Sequence, residues 1–372
     1  MNRASVVNII ISGGGTGGHV FPAIAIADAI RQKAPGAEIL FVGALGRMEM
    51  DLVPKAGYRI EGLWISGFQR SLSVKNLLFP LKLAHSLLRA RSILRQFRPD
   101  VAIGVGGFAS GPLLEMALRM GIPSVIQEQN SYAGATNRIL ARKVQKICVA
   151  YPDMGRYFPA DKLVLTGNPV RGTLFAQKIS KEEAAAHFGL DPSRPIVLLF
   201  GGSLGALTLN TAMEEATQIL RNNPAVQVIW QCGKTHHDRF STCPAAQLPQ
   251  VVVRPFLDRM DMAYAAADVV VCRAGALTIS ELALAGKAAI LVPSPHVAED
   301  HQRKNAQALV DKHAAILVLD ADAGKNLWPE ILHLLADANV RSVLEQRIKS
   351  LGKPHAAADI ASVALGLAQY KP

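Results

Sequence analysis

Two segments of this chain begin alike, and this internal likeness restricts the fold more than any other feature. Each has a run of apolar residues, then a cluster of glycines with one hydroxyl residue, then a helix-forming stretch. The segments begin VVNIIISGGGTGGH at residue 6 and PIVLLFGGSLGA at residue 195. Glycines at this density weaken any strand or helix that contains them. Both clusters therefore predict loops in which bare backbone is required.

A shift of 187 positions superimposes the two clusters. With this shift, three glycines and one hydroxyl residue of the first cluster align with the same kinds of residue in the second. Gly14, Gly15, Thr16 and Gly18 align with Gly201, Gly202, Ser203 and Gly205, respectively. Short apolar runs and amphipathic stretches then alternate in both halves, as in EILFVG, PSVIQE and QKICVA, or DVVVC and AAILV. Continuous apolar runs that alternate with helices predict parallel sheets covered on both faces.

The predicted fold class is α/β, with two Rossmann-like domains that face a central cleft, since ligands of open α/β sheets bind at the carboxyl ends of the strands. The segment LTGNPVRG, residues 165–172, has the Asn-Pro and glycine punctuation of a linker. We expect an N-terminal domain over residues 1–167 and a C-terminal domain over residues 168–354. Residues 355–372 predict one more helix, which can pack on either domain and is assigned to the first.

Composition excludes several classes of protein. No apolar stretch reaches the roughly 18 to 20 residues of a membrane-spanning helix, and the N-terminal apolar run leads into glycines, so no signal peptide is predicted. Lys and Arg outnumber Asp and Glu by 40 to 29, which suits an anionic partner such as a membrane surface. Nucleic acid is not predicted, because no nucleic-acid motif occurs and aromatic residues make up 6% of the chain. The four cysteines have no C-x-x-C spacing and predict reduced thiols.

The first glycine loop admits more than one ligand. Gly13, Gly15 and Gly18 match G-x-G-x-x-G, the pattern of a dinucleotide site. That pattern needs a carboxylate at the end of the second strand, and none occurs before Glu49. A nicotinamide-dependent oxidoreductase is therefore a weaker alternative. A phosphate-binding P-loop is disfavoured because His19 stands where lysine is required.

Residues 268–306 combine what a nucleotide-sugar donor requires. A strand predicted to end at Cys272 leads through RAGA into a helix, whose N-terminus can face a diphosphate. Glu281, early in that helix, can accept hydrogen bonds from a ribose diol. The next helix is predicted to expose three polar side chains near the same strand ends: His301, Gln302 and Asn305.

A second interpretation of the same helix needs no ligand. Glu281 would stabilise its own helix, and Thr278 and Ser280 would be ordinary capping residues.

Six segments occur in a fixed order: GGGTGGHVFP, GVGGFASGP, QEQNSYAGATNR, GNPVR, GGSLGA and CRAGALTISEL. Together they resemble the MurG family of bacterial N-acetylglucosaminyltransferases of peptidoglycan synthesis, which have the GT-B fold, and the similarity covers nearly the whole chain. The resemblance implies inverting, metal-independent transfer of N-acetylglucosamine from UDP-N-acetylglucosamine to the C4 hydroxyl of the muramyl sugar of lipid I, forming lipid II, with no cofactor. Another GT-B enzyme, such as a UDP-sugar 2-epimerase or a glycolipid synthase, is the alternative.

The resemblance also implies a donor site. The C-terminal domain would contribute Ser203, Leu257, Ala276, Leu277, Thr278, Ile279, Ser280, Glu281, His301 and Gln302 to this site. Residues from the N-terminal half and the linker are Thr16, Gly17, Gly18, Asn130 and Arg171. Ser203 and the helix from Ala276 would lie near the phosphates, the Leu257 backbone at the uracil and Glu281 on the ribose. Some family members have two adjacent glutamines where this chain has His301 and Gln302, so the contact at His301 stays open.

Two residues can serve as the general base. His19 is a candidate because an unperturbed histidine has a pKa near 6.5, which suits proton transfer at neutral pH; alternatively, it shapes the loop. Glu128 ends the strand PSVIQE and could take the proton or orient the sugar. DAD at residues 320–322 resembles a metal-binding Asp-x-Asp string, but we interpret it as a turn and helix start.

A membrane-binding segment is predicted over residues 62–99. It has no Asp or Glu and seven basic residues: Arg70, Lys75, Lys82, Arg89, Arg91, Arg95 and Arg98. Large apolar residues lie among them, as at membrane interfaces. We expect a helix from about residue 82 that buries one side, with Leu77, Leu78 and Phe79 in contact with lipid. In the alternative, Leu83, Leu87, Leu88 and Leu94 only face the core.

For a lipid-linked acceptor, the expected location is the cytoplasmic face of the inner membrane, with peripheral attachment. The resemblance also implies cell-wall synthesis proteins as partners, and a role in cell shape and division.

Overall fold

The structure is a computed structural model that describes residues 6–66, 78–170, 172–175, 177–202 and 204–370. The chain divides into two compact units. The first combines Met1–Arg171 with Lys353–Pro372, and the second is Gly172–Gly352. The sequence placed these boundaries after residues 167 and 354.

The first unit has a parallel sheet of seven strands within its described residues. They are β1 (Asn8–Gly13), β2 (Glu38–Ala44), β3 (Arg59–Leu63), β4 (Val101–Gly106), β5 (Ser124–Glu128), β6 (Lys146–Val149) and β7 (Leu163–Leu165). The helices between them are α1 (Gly17–Lys33), α2 (Glu49–Lys55), α3 (Phe79–Phe97), α4 (Ser110–Arg119) and α5 (Ala135–Leu140). The strand order is β3-β2-β1-β4-β5-β6-β7. Successive strands are added on one side of β1 up to β3 and on its other side from β4, and open α/β sheets bind ligands at this reversal of strand order.

Both faces of this sheet are buried, which explains why β1 is apolar without alternation. Ile9 and Ile11 pack in one core cluster, with α1. Ile10 points to the other face and packs in a second cluster, with residues of α3 and α4.

The second unit repeats this arrangement with a parallel sheet of six strands among its described residues. They are β8 (Ile196–Phe200), β9 (Gln227–Gln231), β10 (Val251–Arg254), β11 (Val269–Cys272), β12 (Ala288–Leu291) and β13 (Ile316–Leu317). The helices are α6 (Lys181–Phe188), α7 (Leu207–Glu215), α8 (Thr217–Asn222), α9 (His237–Phe240), α10 (Met260–Ala266), α11 (Ala276–Ala285), α12 (His301–Val310), α13 (Ala323–Ala336) and α14 (Ala338–Ser350). The strand order is β10-β9-β8-β11-β12-β13. The α/β class with two Rossmann-like domains is therefore confirmed.

The last helix, α15 (Ala356–Leu367), belongs to the first unit. Ile360 and Leu365 are buried in the same cluster as Ile9 and Ile24. The chain thus returns to the first sheet after completing the second.

All four cysteines are buried free thiols. Across the described part of the chain, the helices are too short or too polar to cross a bilayer.

Candidate functional site

The first glycine loop connects β1 to α1 at the point where the first sheet reverses strand order. Gly15 adopts φ +86°, which favours glycine. A second glycine loop follows β4 and packs against the first so closely that a Cβ on Gly107 would lie 2.3 Å from the Gly14 carbonyl oxygen. The GGGTGGH and GVGGFASGP motifs therefore form one unit in which backbone contacts backbone.

His19 lies at the junction of these two loops. Its Nδ1 is 3.1 Å from the Gly14 carbonyl oxygen, and its ring lies over Gly106, where a Cβ would approach Nε2 to 2.7 Å. A carbonyl oxygen only accepts hydrogen bonds, so this contact assigns the ring proton to Nδ1. Nε2 is then the nitrogen that can accept a proton, as a general base requires.

Glu49 is a site residue whose role the sequence did not reveal. It begins α2 and is completely buried. Its Oε1 accepts the Ala44 N–H at 3.0 Å and its Oε2 accepts the Gly15 N–H at 2.8 Å. The carboxylate therefore holds the first glycine loop to the end of β2. The contact with Gly15 spans 34 residues of chain, and no local pattern announces it.

Glu128 is surrounded by donors at the end of β5. Asn130 donates to Oε1 from its backbone and its side chain, at 3.1 and 3.3 Å. Gly134 N–H and Asn137 Nδ2 donate to Oε2, at 3.0 and 2.8 Å. Burial raises the pKa of the Glu128 carboxyl, and these donors oppose the rise. Such a carboxylate is suited to shaping the loop that carries Asn130, which favours His19 as the base.

The motifs QEQN and GNP meet in a buried amide network within the same unit. Gln127 Nε2 donates to Asn168 Oδ1 at 3.0 Å, and Asn168 Nδ2 donates to the Gln129 carbonyl at 3.0 Å. Gln129 Nε2 donates to the Val105 carbonyl beside the second glycine loop. This network anchors the start of the linker to the site in the first unit.

Three of the other predicted donor-site residues lie where the first glycine loop enters α1. Thr16 precedes α1 in an extended conformation, and Gly17 and Gly18 form the first turn of that helix. Arg171, predicted from the linker, and Ser203, predicted from the second loop, lie outside the described residues.

The glycine loop of the second unit follows β8. Gly202 and Gly205 adopt φ +86° and +80°, and a Cβ on Gly205 would lie 2.0 Å from the Cys232 carbonyl oxygen. Gln231 Nε2 donates to the Gly202 carbonyl at 2.8 Å. As in the first unit, the loop depends on glycine and lies at the reversal point of its sheet.

The N-terminus of α11 follows β11, the neighbour of β8. Gly275 is its N-cap and no side chain caps it. The N-cap position therefore belongs to neither Thr278 nor Ser280, and the Ser280 hydroxyl donates to the Ala276 carbonyl at 3.0 Å. Ala276, Leu277 and Thr278 begin the helix and are half-buried, whereas Ile279 is buried.

Glu281 lies in the second turn of α11, where Tyr264 orients it. The Tyr264 hydroxyl donates to Glu281 Oε2 at 2.9 Å, and Tyr264 is 1% exposed between Phe175 and Phe200. Burial and the Glu281 carboxylate hold the pKa of Tyr264 well above its usual range, which keeps the phenol a donor. The sequence suggested Glu281 but gave no sign of Tyr264.

The remaining donor-site residues of this unit surround the same sheet. Leu257 is buried after β10. His301 begins α12, and Gln302 Oε1 accepts the Ser294 N–H at 2.9 Å, next to β12. The expectation that Asn305 would be exposed is wrong: it is completely buried, with Nδ2 3.5 Å from the Ala274 carbonyl.

The DAD string forms a short 3-10 turn before α13, as interpreted from the sequence. Asp320 pairs with Arg273 and accepts the Thr208 hydroxyl at 3.0 Å. Within the described residues, no group of His, Cys, Asp and Glu side chains is arranged to hold a metal.

The later part of the predicted membrane segment forms α3, which starts at Phe79 and not near residue 82. Leu78, Leu81 and Leu88 are exposed, whereas Leu94 is buried and Phe79 is partly buried. Of the residues that the alternative places towards the core, Leu83 and Leu94 pack there, whereas Leu88 does not. The predicted residues Arg70, Lys75 and Leu77 lie outside the described part of the chain.

Comparison with known proteins agrees with this geometry. Residues 9–149 match the glycosyltransferase family 28 N-terminal domain and residues 196–362 its C-terminal domain. A relative from Bacteroides fragilis, named UDP-N-acetylglucosamine--N-acetylmuramyl-(pentapeptide) pyrophosphoryl-undecaprenol N-acetylglucosamine transferase, is 52% identical over 369 residues, covering 99% of this chain and 97% of the relative.

Solved structures give the same result. The crystal structure of Acinetobacter baumannii MurG has a TM-score of 0.77 and 28% identity, covering 97% of this chain and 99% of that one. The UDP-GlcNAc 2-epimerase from Neisseria meningitidis, at 13% identity and a TM-score of 0.69 with the same coverage, shares the fold alone. The chain therefore belongs to glycosyltransferase family 28 and, within it, to the MurG family of N-acetylglucosamine transferases.

Proposed function

We propose that this chain transfers N-acetylglucosamine from UDP-N-acetylglucosamine to the C4 hydroxyl of the N-acetylmuramyl sugar of lipid I, with inversion at the anomeric carbon, and so forms lipid II. The observation that carries this proposal is the 52% identity, over 99% of the chain, to a relative whose name states that activity. The two glycine loops at sheet reversal points support it, because bare backbone at such positions allows phosphate and sugar groups to approach closely.

His19 acts as the general base in this proposal. Its Nδ1 donates to the Gly14 carbonyl, so Nε2 accepts the proton of the acceptor hydroxyl as that oxygen attacks the anomeric carbon. The C–O bond to the new sugar forms while the bond to UDP breaks, and the electron pair leaves with the UDP phosphate. Glu128, which four N–H groups surround, instead holds the loop of Asn130.

The second unit binds the donor and stabilises the leaving group. The positive end of the α11 dipole faces the charge that develops on the departing diphosphate. Glu281, oriented by Tyr264, accepts hydrogen bonds from the ribose hydroxyls. Leu257 contacts the uracil through its backbone, and His301 and Gln302 lie towards the sugar.

A lipid-linked acceptor requires contact with a membrane, and we propose that the α3 surface provides it. Leu81 and Leu88 are 59% and 68% exposed on this helix, and Arg91 and Arg95 are exposed beside them. Apolar side chains among basic ones suit the headgroup region of an anionic bilayer. The chain would thus bind peripherally at the cytoplasmic face of the inner membrane.

The test is release of UDP from UDP-N-acetylglucosamine with and without a lipid I analogue. We expect release only with the analogue, together with a disaccharide product whose new linkage is to C4. A 2-epimerase would consume the donor without any acceptor, and that result would refute the proposal.

A further inference from the structure

Glu49 and His19 hold opposite ends of one peptide group. Glu49 Oε2 accepts the Gly15 N–H at 2.8 Å. The Gly14 carbonyl, which belongs to the same peptide unit, accepts from His19 Nδ1 at 3.1 Å. A peptide group is planar and rigid, so a carboxylate that fixes its N–H end also fixes the direction of its carbonyl.

The peptide needs this restraint because glycine lies on both sides of it. Gly14 and Gly15 lack side chains that would favour one orientation, and glycine tolerates either sign of φ. Gly15 holds φ +86° in the structure. A Cβ on Gly14 would lie 2.2 Å from Glu49 Oε1, so the loop closes tightly on the carboxylate. Glu49 is anchored in turn by the Ala44 N–H at the end of β2.

The direction of the Gly14 carbonyl decides which nitrogen of His19 carries the proton. Thr16 Oγ1 also lies near Nδ1, at 3.4 Å. A hydroxyl can donate as well as accept, whereas a carbonyl only accepts. With the carbonyl in place, Nδ1 must donate. If the peptide rotated, the Thr16 hydroxyl could donate to Nδ1, and the ring proton would move to Nε2.

We infer that Glu49 is a positioning residue which, acting through the Gly14–Gly15 peptide, keeps the proton of His19 on Nδ1. This tautomer leaves Nε2 as the base. The effect on turnover rests on the proposed role of His19, but the tautomer is a property of the chain without substrate, and it can be measured separately.

The decisive experiment is nitrogen NMR of the full chain with ¹⁵N-labelled histidine. The chain has ten histidines, and the signals absent from His19→Ala identify His19. In the unsubstituted chain at a pH above the histidine pKa, we expect Nδ1 to carry the proton. Glu49→Leu, which has a similar volume but accepts neither N–H, should populate the form with the proton on Nε2. Glu49→Gln, which can accept only one N–H well, should give an intermediate result.

Tyr58→Phe is the matched control, since it removes the hydroxyl that Tyr58 donates to Asp28 Oδ1 at 2.6 Å in the same unit, away from the loop. It should leave the His19 tautomer and kcat unchanged. Glu49→Leu should lower kcat at least about ten-fold with unchanged UDP affinity, and it should have no further effect in a His19→Ala background.

Two outcomes would overturn the inference. One is an unsubstituted chain in which Nε2 of His19 carries the proton, a result that does not depend on any Glu49 variant. The other is a folded Glu49→Leu chain with the original tautomer. Failure of the proposed function looks different, because the unsubstituted chain would then show no transfer while the tautomer result stood.

Discussion

His19 is the residue whose replacement best separates chemistry from binding. Its ring lies on the backbone of two glycine loops, and its proposed task is to take a proton from the acceptor. We expect His19→Ala to lower kcat at least about ten-fold, because proton removal then falls to water. UDP binding, measured by calorimetry, should change little. An equal loss of UDP affinity would assign His19 to binding the donor.

Tyr264 supports the donor site from inside the second unit. Tyr264→Phe keeps the aromatic ring against Phe175 and Phe200 and removes the donor to Glu281. A hydrogen bond to a charged group contributes about 1.5 kcal/mol or more, so we expect UDP to bind about ten-fold more weakly. Preference for UDP over 2′-deoxy-UDP should also fall, since the ribose is what Glu281 is proposed to contact.

A double-mutant cycle tests this route for Tyr264. In a Glu281→Gln background, Tyr264→Phe should cost little additional affinity, because the two residues act as one unit. If the losses simply add, or if discrimination against 2′-deoxy-UDP is unchanged, Tyr264 only supports the fold.

The site residues that could not be predicted from the sequence have one property in common, which is that their partners are distant along the chain. Glu281 was recognisable because it follows a strand and a turn within one short segment. Glu49 and Tyr264 act across 34 and 17 residues of chain, and their partners are decided by how the elements pack. Asn305 was expected to be exposed together with His301 and Gln302, but α12 turns it towards the Ala274 carbonyl.

Two glycines of the first unit, Gly106 at the end of β4 and Gly57 between α2 and β3, differ in what an added side chain would meet, and substitution can separate the effects. Gly106 has φ +102°, and a Cβ there would also meet the His19 ring. Gly57 has φ +81° with open space around the added carbon. Both alanine variants should lose about 1 to 2 kcal/mol from backbone strain, measured by denaturant unfolding.

Activity should distinguish these two variants. Gly106→Ala must displace the His19 ring, so in addition to the lost stability we expect kcat to fall at least about ten-fold. Gly57→Ala should keep kcat at temperatures where it is folded. Equal kcat values for the two variants would show that the position of the His19 ring does not limit turnover.

The central strands were predictable from sequence because parallel strands buried on both faces are continuous apolar runs. The edges were not. β3 reads RIEGL and is only partly buried, while β7 has three residues. Neither carries the apolar run that marked β1 or β8. Helix α3 begins three residues before its predicted start, since Pro80 in its first turn is compatible with a helix start.

The same arrangement of strands and glycine loop occurs in both units of the molecule. Each unit has the central strand order that places its first strand beside its fourth, and each puts a glycine loop at that position. The repeat was visible in the sequence as the shift of 187 positions. The sequence left two possibilities for α15, because its apolar residues suit either sheet, and its assignment to the first domain agrees with the structure.

Basic side chains on α3 should attract the chain to an anionic membrane. Arg91→Glu with Arg95→Glu reverses two exposed charges on α3. Each basic residue near the surface contributes about 1 kcal/mol, so the partition constant for anionic vesicles, measured by sedimentation, should fall at least about thirty-fold. The control, Arg221→Glu with Lys325→Glu, changes net charge equally at exposed positions of the second unit. Binding of the control should stay near that of the unsubstituted chain. If both pairs weaken binding equally, overall charge and not the α3 surface attracts the chain to the membrane.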